Sequence, residues 1–413
     1  MANDSRSKNQ KPMPLEGIRV IEFGTFIAGP GAGAILGDLG AEVVKVESWG
    51  GDPARHVVRI GKIPPLAFDN GESIIYQAAN RNKKGICIDV AKEKGREVLY
   101  RLVKDADVFV TNLRNSTKTQ LAIDYANLSR VNPRIVYASV SGYGPEGPMS
   151  DLGAFDPLGL AFSGMMFMSG SSEPIHVPPQ VALLDETTAI STSHAILTAL
   201  FARERQGTGQ EIDISLYGTG LWLMHLSLMV AHAIGIPPAP WNRLEHTPLG
   251  NYSRCKDGKW IMGIHHPEER YWPAFCEATG QTALLKDPRF ANDELRLENC
   301  AELVTLFDKV FASKTRDEWV EILQTKGLMF VKVQDITEIQ DDPQALINRY
   351  IVDFEDPRFG KVKVPGYPIH FSANRAGLRS LAPALGEHTD LIMQQAGYTE
   401  QEIKKLREEG VIQ

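Results

Sequence analysis

Residues 18–47 read IRVIEFGTFIAGPGAGAILGDLGAEVVKVE, and this stretch decides the fold. Residues 18–23 form a short, mostly apolar run, which reads as a buried strand. A glycine-rich loop and a short helix follow through Leu39, and residues 42–47 (EVVKVE) form the next strand. Strand, loop, helix, strand is a βαβ unit, and the sheet that such units build is parallel.

The same alternation continues outward. Residues 85–90 (GICIDV), 107–111 (DVFVT) and 134–140 (RIVYASV) read as strands. Between them Val98, Leu99, Leu102 and Val103 mark one face of a helix, and Ser116–Thr117 opens another. The expected fold is therefore α/β, with a parallel, doubly wound sheet. After about residue 220 the pattern changes. Asp257–Gly258 lies between two alternating runs, a hairpin signal. Helical segments follow around 268–279, 298–312 and 316–325, with a Thr315–Glu318 capping box on the last. The tail carries a strand-like KVKVP and two short helices, the second opened by Thr399 and Glu402. These signals divide the chain into a large domain, 1–220 plus 345–413, and an inserted smaller α+β domain, 221–344.

The 413 residues are 43% hydrophobic and 23% charged, with a formal net charge of −7 and no block of like charges that would hold nucleic acid or a membrane surface. Cys87, Cys255, Cys276 and Cys300 show no metal or disulfide spacing, which fits a reduced, cytoplasmic setting. The polar N-terminus, MANDSRSKNQKPMP, reads as a frayed tail rather than a signal peptide. Residues 214–241 carry no formal charge but hold His225, His232 and several glycines, so a helix buried in the core is expected there rather than a membrane span. Gly29-x-Gly31-x-x-Ala34, with Glu47 ending the next strand, approaches a dinucleotide fingerprint. It departs from it at Pro30 and in its spacings, so the glycines are read as a tight turn that permits close helix–strand packing. His265–His266 lacks ligand spacing and reads as a surface pair.

Residues 178–203, PPQVALLDETTAISTSHAILTALFAR, hold Asp185 ahead of a long helical segment. Ile190, His194, Leu197 and Phe201 recur at helical spacing, so a helix starting near Asp185 is expected. Aspartate is among the strongest N-cap residues. It is also a nucleophile, and on the residues alone both readings stay open.

Several ordered segments resemble the class III CoA-transferases, the CaiB/BaiF group of formyl-CoA and carnitine CoA-transferases, to which α-methylacyl-CoA racemase is related. They are residues 20–48, GDPAR (51–55), NRNKKGICIDV (80–90), DVFVTNLR (107–114), NPRIVYASVSGYGPEGP (132–148) and LGEHTD (385–390). The resemblance runs from residue 15 to the C-terminus. It implies a Rossmann-like large domain, a smaller domain and an interlocked homodimer. It places the nucleophile on Asp185, and implies acyl-CoA and carboxylic acid substrates with no permanently bound cofactor or metal. Coenzyme A contacts carried over by motif fall on Ile27 and Ala28, on Ser48, on Ile88 and Asp89, and on Asn112, Leu113 and Arg114. Gly153, Ala154, Phe155 and Asp156 would line the pantetheine arm. Lys83 and Lys84 are further phosphate candidates, and Gly250 and Asn251 are candidate oxyanion donors. Ser48 and Gln120 stand where relatives can carry arginine, which redistributes phosphate binding.

Asp185, ionised at neutral pH and exposed at the helix end, would attack a thioester and pass the acyl group through an anhydride and an aspartyl–CoA thioester. The alternative within the same resemblance is α-proton exchange, which pairs the aspartate with a histidine. Phe155 stands at the histidine's place, and the nearby His176 reads as structural. A non-catalytic CoA-binding protein is a second alternative. Met165, Met166 and Met168 in GMMFMSG (164–170) are read as core rather than acyl pocket.

Overall fold

The computed structural model describes residues 11–62, 65–168, 182–236 and 241–413. Residues 1–10 of the expected frayed tail, His176 and the end of GMMFMSG lie outside them, whereas the described start of that tail is held in place: the Pro12 carbonyl accepts from the Arg375 amide at 3.1 Å, and Lys11 Nζ donates to the Ser372 carbonyl at 2.6 Å. The described chain forms two compact units, one of residues 11–167, 182–236 and 347–413, the other built on 241–346.

The first unit is organised by six strands: β1 (Arg19–Glu22), β2 (Glu42–Glu47), β3 (Lys83–Cys87), β4 (Val108–Thr111), β5 (Val136–Ser141) and β6 (Gln210–Ser215). They pair in the order β3-β2-β1-β4-β5-β6, all parallel. The order reverses between β1 and β4, so a crevice opens outside their carboxyl ends. Residues 18–23 and 42–47 form strands as their apolar runs predict. The sixth strand, QEIDIS, was not expected as one, because four of its six residues are polar at a sheet edge.

Alternate residues of the strands serve opposite faces. Ile21, Val44, Phe109 and Tyr137 pack on one side against α3 (Glu93–Lys104), which buries Val98, Leu99, Leu102 and Val103 as its spacing predicts. The C-terminal helices Thr389–Gln395 and Glu400–Glu408 close this face with Ile392, Met393 and Ile403. Val20, Val43, Val108 and Val136 pack on the other side, against Leu36 of α1 (Ala28–Asp38) and Ile196, Ala199 and Leu200 of a long helix, Leu183–Gln206.

The second unit holds an antiparallel sheet of β7 (Tyr252–Arg254), β8 (Trp260–Gly263) and β9 (Phe330–Val333), with the Asp257–Gly258 turn between the first two. Its helices cover a core that includes Phe275, Phe307, Phe311 and Phe330. Both expected capping boxes, Thr315–Glu318 and Thr399–Glu402, are formed. His265 corrects the surface reading. It is 4% exposed, its Nδ1 lies 2.8 Å from the Leu249 carbonyl, and its Nε2 accepts from the Met329 amide at 2.8 Å. The two bonds fix a neutral ring that ties two loops, and burial lowers its pKa.

Two further expectations fail at helices. In Leu183–Gln206 the predicted apolar stripe faces outward, with Ile190 and Phe201 exposed and Leu197 half-buried. The buried face instead mixes short side chains, Thr188, Ala189, Thr192, Ser193 and Ala199, with Leu184, Ile196 and Leu200. This helix lies close against α1, where a Cβ at Gly31 would stand 2.9 Å from that of Ala189. At that close approach the backbones leave room for short side chains only. Residues 214–241 do not form one buried helix. They continue from β6 into the helices Leu216–Leu223 and His225–Ile234, and the latter buries no residue. Among the described residues, no helix is long and apolar enough to cross a membrane.

Beneath the β1–α1 loop lies a buried cluster of charge. The Glu22 carboxylate pairs with Lys45 at 3.0 Å and with Lys83. Lys45 also reaches Asp52 at 3.0 Å and donates to the Gly24 carbonyl at 3.0 Å. Glu47 takes a bidentate pair from Arg55 at 2.8 and 2.7 Å. Burial alone would raise the pKa of Glu22, but its two ammonium partners hold it below the usual range. Burial and the Lys45 charge pull Lys83 down to about 8 against Glu22. Lys83 is therefore an interior cation with four acceptors, not a surface phosphate ligand. Lys84 is paired with Glu42 at 2.6 Å. Lys45→Met strands Glu22 and Asp52 without their shared cation. It should cost about 3–5 kcal/mol in denaturant unfolding, the range for a broken buried pair. A loss below about 1 kcal/mol would show that the cluster does not hold this end of the sheet.

Candidate active site

The crevice between β1 and β4 is shaped by the loop that follows β1. Its residue Phe26 sits at φ 61°, a left-handed backbone that a bulky side chain rarely adopts. The surrounding structure holds it there. The Phe26 amide donates to Asp52 at 3.1 Å, and Asp52 is fixed by Lys45 and by the Ala54 amide. From the other side Asn112, just past β4, accepts from the Thr25 amide at 2.8 Å and donates to the Thr25 carbonyl at 2.7 Å. Gly24 makes room for this clasp, since a Cβ there would lie 2.8 Å from the Asn112 side-chain oxygen. Asn112 thus positions the loop as well as lining the crevice.

A cavity of about 520 Å³ occupies this switch point. Its walls include Ile27 and Ala28 from the β1 loop, Asn112, Leu113 and Arg114 after β4, and Gly153, Ala154 and Phe155. Asp185 reaches the same cavity from Leu183–Gln206. Of the twelve contacts expected for coenzyme A, these eight line it, from three separate stretches of sequence.

The other four lie elsewhere. Ser48 is exposed just after β2. Ile88 is fully buried, and its amide donates to the Glu47 carbonyl at 2.8 Å. The Asp89 amide is bonded to Val411. Asp156 is buried and does not line the cavity. Its work is to cap the long helix from a distance. That helix starts at Leu183, with Ala182 as its N-cap residue, and alanine has no side-chain acceptor. Asp156 supplies one: its Oδ1 accepts from the amides of Leu184 at 2.6 Å and Asp185 at 3.0 Å. These are the second and third amides of the helix, the two that an N-cap side chain ordinarily satisfies. Asp185 is therefore not the cap but a first-turn residue beside the helix's positive end.

Nor is Asp185 an exposed anion. It is 9% exposed, and its carboxylate accepts no hydrogen bond from the described residues. Burial, then the charges of Asp156 and Glu186, push its pKa up to about 7. The sequence suggested a fully ionised group because nothing in VALLDETT reveals an acid at 156. Gly250 and Asn251 lie in the second unit. The Asn251 side chain is engaged within its own loop, donating to the Arg243 and His246 carbonyls and accepting from the Tyr252 amide.

The model described as "CoA-transferase family III" matches residues 15–389. The chain belongs to CoA-transferase family III. It is 35% identical over 402 residues to a protein of Fusarium pseudograminearum named acyl-CoA transferase, covering 96% of this chain and 88% of that one. The mouse succinyl-CoA:glutarate CoA-transferase is 30% identical over 404 residues, covering 97% and 90%. Among solved structures, a CAIB/BAIF family protein from Brucella suis superposes with a TM-score of 0.83 at 29% identity, covering 94% of this chain and all of that one. The family III CoA-transferase described above is thus an enzyme, and its switch-point cavity is the place to look for its chemistry.

The perturbed acid carries a stability signature. With the folded pKa raised from 3.8 to about 7, the folded chain binds the Asp185 proton more tightly than the unfolded chain does. Its contribution is complete below pH 3.8 and is lost as pH rises through 7. Asp185→Asn, neutral at all pH, should therefore stabilise the protein at pH 8 by up to about 4 kcal/mol and leave it unchanged at pH 3.5. Denaturant midpoints at the two pH values test this; an equal gain at both would mean that the charge is not what destabilises.

Proposed function

We propose that the protein moves coenzyme A from an acyl-CoA donor to a carboxylic acid acceptor through covalent intermediates on Asp185. The observation that carries this reading is that Asp185 is the one carboxylate among the described lining residues of the switch-point cavity.

The steps follow from carboxylate chemistry. The Asp185 carboxylate attacks the thioester carbonyl, the C–S bond breaks, and an acyl–aspartyl anhydride forms as CoA thiolate leaves. The thiolate attacks the aspartyl carbonyl and expels the donor acid, leaving an aspartyl–CoA thioester. The acceptor carboxylate attacks that thioester, forming a second anhydride and freeing the thiolate again. Attack of the thiolate on the acceptor's carbonyl yields the new acyl-CoA and restores Asp185. No proton is gained or lost, so no general base is needed. Desolvation suits the sequence, since a poorly hydrated carboxylate is a stronger nucleophile. The helix N-terminus favours the anion as the cavity closes on substrate.

Ile27, Ala28, Asn112, Leu113, Gly153 and Ala154 form the CoA-binding surface in this reading, with Phe155 where the pantetheine arm meets the acyl group and Arg114 as the phosphate partner. Ser48 and Asp89, at the carboxyl ends of β2 and just past β3, suit the nucleotide end. α-Proton exchange is disfavoured: it needs two proton-transfer groups, and the described lining residues hold no histidine, with Phe155 a hydrocarbon at the expected place. The exposed apolar side chains of Leu216–Leu223 and His225–Ile234, with Trp222 77% and Leu226 and Met229 each 67% exposed, support burial in a homodimer, the interlocked form implied by the resemblance. Sedimentation at micromolar concentration should give twice the chain mass; a monomer would sink that assembly.

Asp185→Ala should abolish CoA exchange while retaining CoA binding, and hydroxylamine should modify Asp185 of the native protein only in the presence of acyl-CoA. The rate for free enzyme should rise through pH 7 as Asp185 ionises. Full exchange by the variant, or hydroxylamine modification at another residue, would overturn the mechanism.

A further inference from the structure

The cavity around Asp185 has a wall whose apolar character the transfer chemistry does not require. It comes from the short helix Asp156–Phe162. Because Asp156 turns inward to cap the Leu183–Gln206 helix, the rotation of this short helix is fixed. Asp156, Gly159 and Leu160 are buried. Phe155, Leu158 and Phe162, at helical spacing along another face, are left 57%, 49% and 49% exposed. A stripe of this size left open to water marks a surface that something apolar covers.

Phe155 and Leu158 line the same cavity as Asp185. Phe155 meets Phe26 edge to face, with centroids 5.1 Å apart, so two aromatic rings frame this wall. Phe162 extends it into rings of its own, against Tyr217 at 4.8 Å and Tyr143 at 5.3 Å. The charges point the same way. Arg114 is the one cation among the described lining residues, and the nucleotide phosphates claim it. Asp156 and Glu186, the groups that raise the Asp185 pKa, are acids. A second carboxylate on the acyl group would therefore stand near Asp185 and the acids behind it, with no second cation among the described lining residues to meet it.

We infer that the acids exchanged at Asp185 are monocarboxylates whose acyl chain is apolar, branched or aromatic, seated on the Phe155–Leu158 wall. The inference rests on the transferase reading above and adds the substrate class to it. The wall supplies hydrocarbon contact to one acyl group after another while the anhydride and thioester exchange at Asp185.

The test is a competition. The full-length protein is incubated with butyryl-CoA and equal concentrations of 4-methylpentanoate, 3-phenylpropanoate, succinate and glutarate, and the new thioesters are quantified by mass. The two apolar acids should be converted with kcat/KM at least about tenfold above either diacid, the scale of discrimination that a few methylenes in an apolar site provide. Leu158→Lys, which sets a cation on the half-exposed wall, should lower that ratio by about tenfold or more, since a diacid then finds a counterion. Preferential formation of succinyl-CoA or glutaryl-CoA by the native protein overturns the inference while leaving Asp185 chemistry intact. So does a ratio that Leu158→Lys does not move. Absence of any new thioester, together with an unlabelled Asp185 under hydroxylamine, defeats the transferase reading itself.

Discussion

The arrangement depends on one buried electrostatic constraint, the sharing of Glu22 between Lys45 and Lys83 under the first βα loop. Each of these ions alone in the interior would cost several kcal/mol. Together with Asp52, Glu47 and Arg55 they form three acids and three bases in mutual contact, so no net charge is buried. The cluster does more than balance itself. Lys45 holds the Gly24 carbonyl, and Asp52 holds the Phe26 amide. The unusual backbone of Phe26 is thus imposed from below by ion pairs and from the side by Asn112. The crevice wall is as rigid as the charge pattern beneath it.

A second constraint ties the acid to that wall. The long helix begins without a capping side chain of its own, and Asp156 closes its first amides from another helix. One carboxylate therefore fixes the axial position of Asp185, sets the rotation of the helix that carries Phe155, and raises the Asp185 pKa by its own charge. Stability and reactivity oppose each other here. Good capping asks for an anion at 156, and that anion disfavours a second one at 185. The helix dipole, worth up to about 2 kcal/mol in partly buried settings, offsets part of the conflict.

Much of this was legible in the sequence, for identifiable reasons. Strands covered on both faces write themselves as apolar runs, so β1, β2, β4 and β5 were placed to within two residues, whereas the half-polar β6 was not recognised. The glycines were expected to bring a helix against a strand, whereas at Gly31 the close approach is between α1 and the long helix. What failed was what depends on distant partners. Ile190 and Phe201 carry helical periodicity, yet they face outward, because the face turned to α1 and the sheet is the one that carries Ala189, Ile196 and Leu200. His265 looked like half of a surface pair, since nothing local reveals the Leu249 carbonyl and Met329 amide that hold it. Lys83 looked like a free cation because Glu22 is 61 residues away. Lys83, read as a phosphate candidate, instead joins Asp52 and Arg55 of GDPAR in the charged frame beneath the site.

The reading of Asp185 shows where sequence and geometry part. A cap and a nucleophile are alike in one dimension: an aspartate ahead of a helix. In three dimensions they differ by which amides the carboxylate meets. A capping aspartate is satisfied by the second and third amides of its helix and has little left to give. Here those amides are already taken by Asp156, and Asp185 keeps both oxygens unbonded by the described residues while facing a cavity. A desolvated carboxylate with no hydrogen bond from the described residues is costly to a fold and serves no packing purpose. A reacting partner that enters the cavity accounts for it. Phe155, apolar where the proton-exchange alternative needs a second base, is consistent with the proposed transfer through Asp185.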